Sequence, residues 1–143
     1  MKKIRSQITG HRSRVARCLL IACCVALTIV SCERIKFTPD KTKMYGTWVN
    51  GNTHYRFDSS YRDYPLFDST TVKINGAYWN PSEDVNESEA IGVIWSLDGA
   101  DLTVVKQMYM GGKVPNAYTV TALTETSMTW KDDFGNTSTF TKK

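Results

Sequence analysis

The sequence predicts an all-β domain in which eight antiparallel strands form an up-and-down barrel. From residue 45 onward, apolar and polar residues alternate with a period of two, which is typical of half-buried strands. Turn-forming residues interrupt this alternation about every eight to twelve positions. The links are short, whereas parallel strands need crossovers of about a dozen residues. A two-sheet sandwich has the same alternation and is the alternative, but closure into a barrel would pair every strand edge.

Residues 1–31 have the features of a lipoprotein signal peptide. They hold six basic residues and no acidic one, and the apolar run Cys18–Val30 follows the basic part. Thirteen helical residues rise about 20 Å, which is less than the ~30 Å hydrocarbon core of a bilayer. The run ends in Ser31-Cys32, which resembles the lipobox where bacterial lipoproteins are cleaved and acylated. We therefore expect Cys32 to carry a lipid, with an uncleaved anchor as the alternative.

The expected mature chain consists of the acylated cysteine and a polar tether, residues 32–44, followed by a barrel domain, residues 45–143. Acylation of Cys32 leaves no free thiol in this chain, so we expect no disulfide. Residues 32–143 hold twelve basic and fourteen acidic residues, which disfavours nucleic acid as a partner. The expected location is the envelope of a Gram-negative bacterium, lipid-anchored at the outer membrane, with the face of that membrane left open.

Eight segments carry the strand pattern. They are residues 45–50, 53–57, 70–79, 90–97, 102–110, 117–123, 127–131 and 137–142. The turn Asn50-Gly51-Asn52 predicts a tight hairpin, because Asn and Gly tolerate positive φ. Residues 58–68, 80–89 and 111–116 are predicted to be loops, the second with room for one helical turn.

Gly46-Thr47-Trp48, at the start of the first strand, resembles the signature of the lipocalin (calycin) family. In that family the glycine lets the chain turn beneath the barrel, and the tryptophan plugs its closed end. Tyr55–Phe57, Trp95–Leu102 and Tyr118–Trp130 strengthen the likeness to the small lipocalin-like lipoproteins of Gram-negative bacteria. The resemblance covers about residues 44–143. Most members of that group have no assigned biochemical role, so the resemblance implies a fold more than an activity.

Two departures from the larger lipocalins argue against a deep, lidded cavity. The long lid loop of those proteins, between the first two strands, is replaced here by a tight turn. An arginine near their last strand often packs over the motif tryptophan, and here only Lys142 or Lys143 can approximate it.

Apolar and aromatic side chains that share the predicted inner face are the candidates for a ligand site. They are Trp48, Tyr78, Trp95, Tyr118 and Trp130, with Lys106 and Met108 on one further strand. Such a site would bind a small hydrophobic or amphipathic molecule. The same side chains can instead fill the interior, since an eight-stranded barrel is barely wide enough for them or one small ligand. A mostly filled interior with a shallow pocket at the open end is the favoured outcome.

Lys106 interrupts the apolar face formed by Val104 and Met108. If the strand keeps its register, the ammonium group points inward, where it can meet a ligand carboxylate. Burying an unpaired charge is costly, so the favoured orientation is a bulge that turns the side chain to solvent.

Catalytic and metal chemistry have few candidates. His54 is the one histidine after Cys32, and no nucleophile elbow occurs, which disfavours a Ser-His-Asp triad and a zinc site. The carboxylates within residues 83–89 lack the spacing and the glycine of an EF-hand loop. We therefore expect no enzyme activity, no cofactor and no metal.

The expected function is that of a membrane-anchored, non-enzymatic lipoprotein that binds a small hydrophobic or amphipathic ligand. The alternative is a filled-barrel scaffold that binds a protein partner in the cell envelope, as an inhibitor or a complex accessory. Residues 58–68, with Tyr61 and Tyr64 taken as exposed, and the acidic residues 83–89 would then meet the partner. Ser69 lies in Asp68-Ser69-Thr70, which resembles an acceptor for periplasmic O-glycosylation.

Overall fold

A computed structural model describes residues 37–143, and Cys32 and the segment 1–31 lie outside them. One short helix, α1 (Lys41–Met44), precedes the strands. The strands are β1 (Gly46–Asn50), β2 (Thr53–Pro65), β3 (Thr71–Trp79), β4 (Ile91–Asp98), β5 (Asp101–Gln107), β6 (Lys113–Leu123), β7 (Ser127–Asp132) and β8 (Thr137–Lys142). Within the described residues, no helix is long and apolar enough to cross a membrane.

The eight strands form one antiparallel sheet in sequence order, and the sheet closes on itself. Closure comes from β1 and β8, where Trp48 lies opposite Lys142 and Val49 lies opposite Thr141. The predicted up-and-down order of strands is therefore confirmed, and the two-sheet sandwich is wrong. Closure matters physically because it pairs the two edges that an open sheet would leave exposed.

The antiparallel order gives the closed sheet two ends. We call the end where β1 begins the proximal end, and it also carries the β4–β5 and β6–β7 turns. The distal end carries the β1–β2 turn and the β3–β4, β5–β6 and β7–β8 connections. Two 3-10 turns, Pro81–Glu83 and Glu87–Glu89, occupy the β3–β4 connection, where one helical turn was expected.

The proximal end is plugged by Trp48 and by the residues around it. Trp48 is fully buried, and its indole Nε1 donates a hydrogen bond of 2.7 Å to the carbonyl oxygen of Met44 at the end of α1. The Nζ of Lys142 lies 5.1 Å from the centroid of the Trp48 ring and donates to the carbonyl oxygen of Lys43. Lys142 thus takes the position over the tryptophan for which the sequence offered Lys142 or Lys143.

Strand β2 is longer than predicted, and the expected loop 58–68 is wrong for most of its length. The β2–β3 ladder breaks between Phe57 and Arg62 and then resumes with Arg62 opposite Ile74. Beyond the break, residues 62–74 form a hairpin that we call the arm. A Cβ at Gly92 of β4 would lie 3.0 Å from the Tyr64 ring and 3.1 Å from Ile74, so the arm packs against β4.

Asn75 forms the corner at which the arm leaves the closed sheet. Its side chain accepts a hydrogen bond from the backbone N–H of Trp95 at 2.8 Å and donates one to the carbonyl oxygen of Trp95 at 2.9 Å. The indole Nε1 of Trp95 donates in turn to the carbonyl oxygen of Asn75 at 2.7 Å. These bonds replace the ladder, which joins β3 to β4 only from Gly76 to Tyr78.

The boundary between β5 and β6 also differs from the prediction. Strand β5 ends at Gln107, so Met108 lies in the connection rather than in a strand. Strand β6 begins at Lys113, and Pro115 pairs with Val105, where a loop was expected. Because β7 first pairs with β6 at Tyr118, this start of β6 borders β5 alone, and proline is tolerated at such an edge.

Candidate functional site

An aromatic cluster fills the interior between the middle of the sheet and its distal end. Its centre is Tyr55, whose ring centroid lies 5.1 Å from that of Tyr78 and 5.4 Å from that of Trp130. The Tyr118 ring stacks on Trp130 at a centroid distance of 4.5 Å, and the Phe140 centroid lies 4.3 Å from that of Trp130. Ring centroids at these distances are in van der Waals contact, so the rings occupy this space themselves.

Lys106 lies at the distal side of this cluster and points inward. Its Nζ is 3.3 Å from the centroid of the Tyr78 ring and 5.7 Å from that of Tyr55. The pairing of β5 with both neighbours runs without a shift through Val93 opposite Lys106 and Lys106 opposite Val114. The favoured bulge is therefore wrong. The electron-rich face of an aromatic ring is what makes the inward position of the ammonium tolerable.

The Lys106 ammonium has no anionic partner in contact with it among the described residues. No carboxylate of residues 37–143 lies within ion-pair distance, and its side chain forms no hydrogen bond there. Burial lowers the pKa of Lys106, and the more distant charge of Glu83 opposes this effect in part. Lys106 is only partly buried, so solvent reaches the side chain at the distal end.

Glu83 reaches the same end of the cluster from the β3–β4 connection. Its Oε2 accepts a hydrogen bond of 3.0 Å from the Tyr78 hydroxyl. Burial, followed by this carboxylate, raises the pKa of Tyr78, and burial also raises the pKa of Tyr118. Both phenols therefore stay neutral and keep their protons for hydrogen bonding near neutral pH.

The structure brings together four of the seven residues that the sequence put forward as ligand contacts. Tyr78, Tyr118, Trp130 and Lys106 meet around Tyr55. Trp48 lies in the proximal plug described above, and Trp95 packs at 5.1 Å from Phe57 on that side of the interior. Met108 is 40% exposed in the β5–β6 connection and lines an outer cleft with Tyr64.

Three residues of the cluster, Tyr55, Phe140 and Glu83, were not among those seven. The period-two pattern places Tyr55 and Phe140 on the inward face, so the sequence carried a signal for both. Glu83 carries no such signal, because its reach to Tyr78 depends on the 3-10 turn Pro81–Glu83 and its cap, Asn80.

Metal-binding side chains do not cluster among the described residues. Across residues 37–143, no group of three or more His, Cys, Asp or Glu side chains is placed to hold a metal ion. His54 lies away from the cluster, where it stacks on Trp79 at 5.0 Å. The arrangement around Lys106 is suited to holding an anionic group beside aromatic surface.

The chain matches no protein-family model, no curated protein and no solved structure.

Proposed function

We propose that this protein is a lipid-anchored, non-enzymatic, lipocalin-like protein whose distal end binds a small amphipathic molecule with an anionic group. The observation that carries the proposal is the inward Lys106, which lies over Tyr78 without an ion pair or hydrogen bond among the described residues. A partly desolvated ammonium gains more from an incoming carboxylate than an exposed one does, because the surrounding dielectric is lower.

The lipocalin-like assignment draws support from the proximal end. Gly46 has a φ of +121°, which permits the turn into β1, and Trp48 plugs the sheet beside Lys142. These are the positions that the resemblance to the family singles out. The proposed anchor at Cys32 rests on the sequence before the described residues, and so does the location at the outer membrane of a Gram-negative envelope.

The filled interior limits the kind of ligand that the site can take. Tyr55, Trp130 and Phe140 already contact one another, so an acyl chain can enter only by displacing them or by lying across the end. Tyr118 is only partly buried, whereas Trp130, on which it stacks, is buried. We therefore propose a shallow site, in which the anionic group contacts Lys106 and the apolar part covers Tyr118.

A binding experiment on residues 33–143 tests this proposal, since the closed sheet and its core lie within residues 44–142. The probes are laurate and dodecanol, which share an acyl chain and differ in charge. Tryptophan fluorescence reports binding because Trp130 contacts the site. We expect laurate to bind, and Lys106→Met to weaken laurate by about tenfold while leaving dodecanol unchanged.

Lys131→Met is the matched control, since Lys131 is an exposed lysine of β7. Laurate affinity should stay at the wild-type value in this variant. Equal laurate affinity in wild type and Lys106→Met, or no laurate binding by a wild type that melts cooperatively, would overturn the proposal. Burial lowers the pKa of Lys106 from 10.5, so its ammonium loses the proton at a lower pH than an exposed lysine does. Laurate affinity should begin to fall at that lower pH.

A further inference from the structure

A second surface, on the outside of the closed sheet, carries exposed apolar side chains that the ligand site does not use. We call it the distal patch. Its members are Phe67, Met108, Tyr109 and Met110. They come from the tip of the arm and the β5–β6 connection, and Met110 is 80% exposed. Exposed apolar side chains that contact one another, as Phe67 and Tyr109 do, mark interaction surfaces when they form a patch.

The distal patch has a defined shape because the arm is fixed to the β5–β6 connection. The backbone N–H of Phe67 donates to the carbonyl oxygen of Tyr109 at 3.1 Å, and the two rings meet edge to face at 5.7 Å. Below this contact, Tyr64 and Met108 line a cleft of about 520 Å³ with Ile91. The cleft is wide enough to take one large apolar side chain from a partner.

One wall of the cleft is acidic. Ser88 and Glu89 line it, and Glu89 belongs to the β3–β4 connection, whose residues 80–90 hold four carboxylates and no basic residue. The opposite wall, residues 108–112, has no charged residue at all. A partner that places an apolar side chain in the cleft therefore brings its neighbouring side chains against negative charge.

We propose that the distal patch docks a basic, amphipathic segment of a partner protein, with a large apolar side chain in the cleft and Lys or Arg beside Glu89. The negative charge of the β3–β4 connection favours a basic segment over the other occupants. A membrane with anionic headgroups would be repelled by the carboxylates of the β3–β4 connection, and a second copy of the chain would bring the same negative wall to this site. The inference is independent of the proposed ligand at Lys106, which lies inside the closed sheet.

Two model peptides test the chemistry that the patch selects. Both are amphipathic helices with a leucine face, and the polar face is lysine in one and glutamate in the other. The full-length protein is held in phosphatidylcholine nanodiscs, and fluorescence anisotropy of the labelled peptide is read against empty discs. We expect the lysine peptide to bind and the glutamate peptide not to bind above the empty-disc value.

Variants then locate the binding on the protein. Tyr109→Ser combined with Met110→Ser should weaken the lysine peptide by about tenfold, and Glu89→Gln by about threefold. Met110→Ser alone leaves the Phe67–Tyr109 contact in place and must also weaken binding. The controls are Phe134→Ser, an exposed aromatic of the β7–β8 connection, and Asp98→Asn at the proximal end, and both should keep the wild-type affinity.

Three results would overturn the proposal. The first is equal affinity for the two peptides, and the second is an affinity that the patch variants leave unchanged. The third is self-association of the protein in the discs without peptide, lost in the Tyr109→Ser/Met110→Ser variant, since a second copy would then be the occupant.

Discussion

The Nζ of Lys106 lies 3.3 Å from the centroid of the Tyr78 ring, at the distal end of a closed eight-stranded sheet. The hydroxyl of the same tyrosine donates a hydrogen bond of 3.0 Å to Oε2 of Glu83. Tyr78 therefore stands between a cation on its face and a carboxylate at its edge. The ring face stabilises the ammonium of Lys106, although no carboxylate of the described residues forms an ion pair with that ammonium.

Removing the ring should shift the protonation of Lys106. In Tyr78→Leu the ammonium loses its cation–π contact while it stays partly buried, so the pKa of Lys106 should fall further below its ordinary value. Tyr78→Phe keeps the ring and removes only the hydroxyl, and the pKa should stay closer to that of the wild type. The measurement is an NMR titration of the Lys106 side-chain ¹³Cε signal. Identical titrations of the two variants would contradict this account.

The sequence could predict the architecture because the alternation from residue 45 onward states which face of each strand is buried. The β8 boundaries agree with the prediction, and most others agree to within a residue or two. The arm could not be predicted in the same way. Residues 58–65 are mostly polar, and their strand conformation depends on pairing with residues 71–74 after the break in the ladder.

The candidate site was only partly predictable for a related reason. Alternation put Tyr78, Tyr118 and Trp130 on one face, which the structure bears out as contacts around Tyr55. The cost of burying Lys106 predicted a bulge that turns the side chain to solvent. The ring that offsets this cost, Tyr78, lies on β3, far from Lys106 in the sequence. Local patterns carry no information about such a partner.

Gly46→Ala should destabilise the protein through the turn into β1. Gly46 has a φ of +121°, and an added Cβ would lie 2.8 Å from Cε of Lys142, which is held over Trp48. We expect the free energy of unfolding to fall by about 1–3 kcal/mol, measured by urea denaturation. Gly51→Ala, with a φ of +57° and open space around it, is the control and should cost about 1 kcal/mol. A cost at Gly46 no greater than that at Gly51 would refute the role of the Lys142 contact.

Asn75→Ala should be among the more costly polar substitutions in the chain. Asn75 is buried, and its amide satisfies both the N–H and the carbonyl oxygen of Trp95. Losing both bonds and leaving those groups unpaired should lower the free energy of unfolding by about 3 kcal/mol. Asn116→Ala is the matched control, since Asn116 makes one 3.3 Å bond to the carbonyl oxygen of Val114 on the exposed surface. A loss below about 1 kcal/mol for Asn75→Ala would show that water replaces the amide at the corner.

The interior tyrosines should make the protein sensitive to alkali. Burial raises the pKa of Tyr55, Tyr78 and Tyr118, so the folded state keeps phenol protons that the unfolded chain releases. Stability is then fully present below the ordinary tyrosine pKa of about 10 and falls as the pH rises above it. Urea denaturation at several values from about pH 8 to about pH 11 measures this fall.

Tyr55→Phe separates the contribution of the most buried of these phenols. The variant should lose less stability than the wild type over the alkaline range, because one proton fewer is released on unfolding. Tyr61→Phe, at a tyrosine that is 60% exposed, should follow the wild-type curve. If Tyr55→Phe shows the wild-type slope above about pH 10, the Tyr55 phenol does not resist ionisation in the folded state, and the interior around Lys106 admits more water than the ring contacts imply.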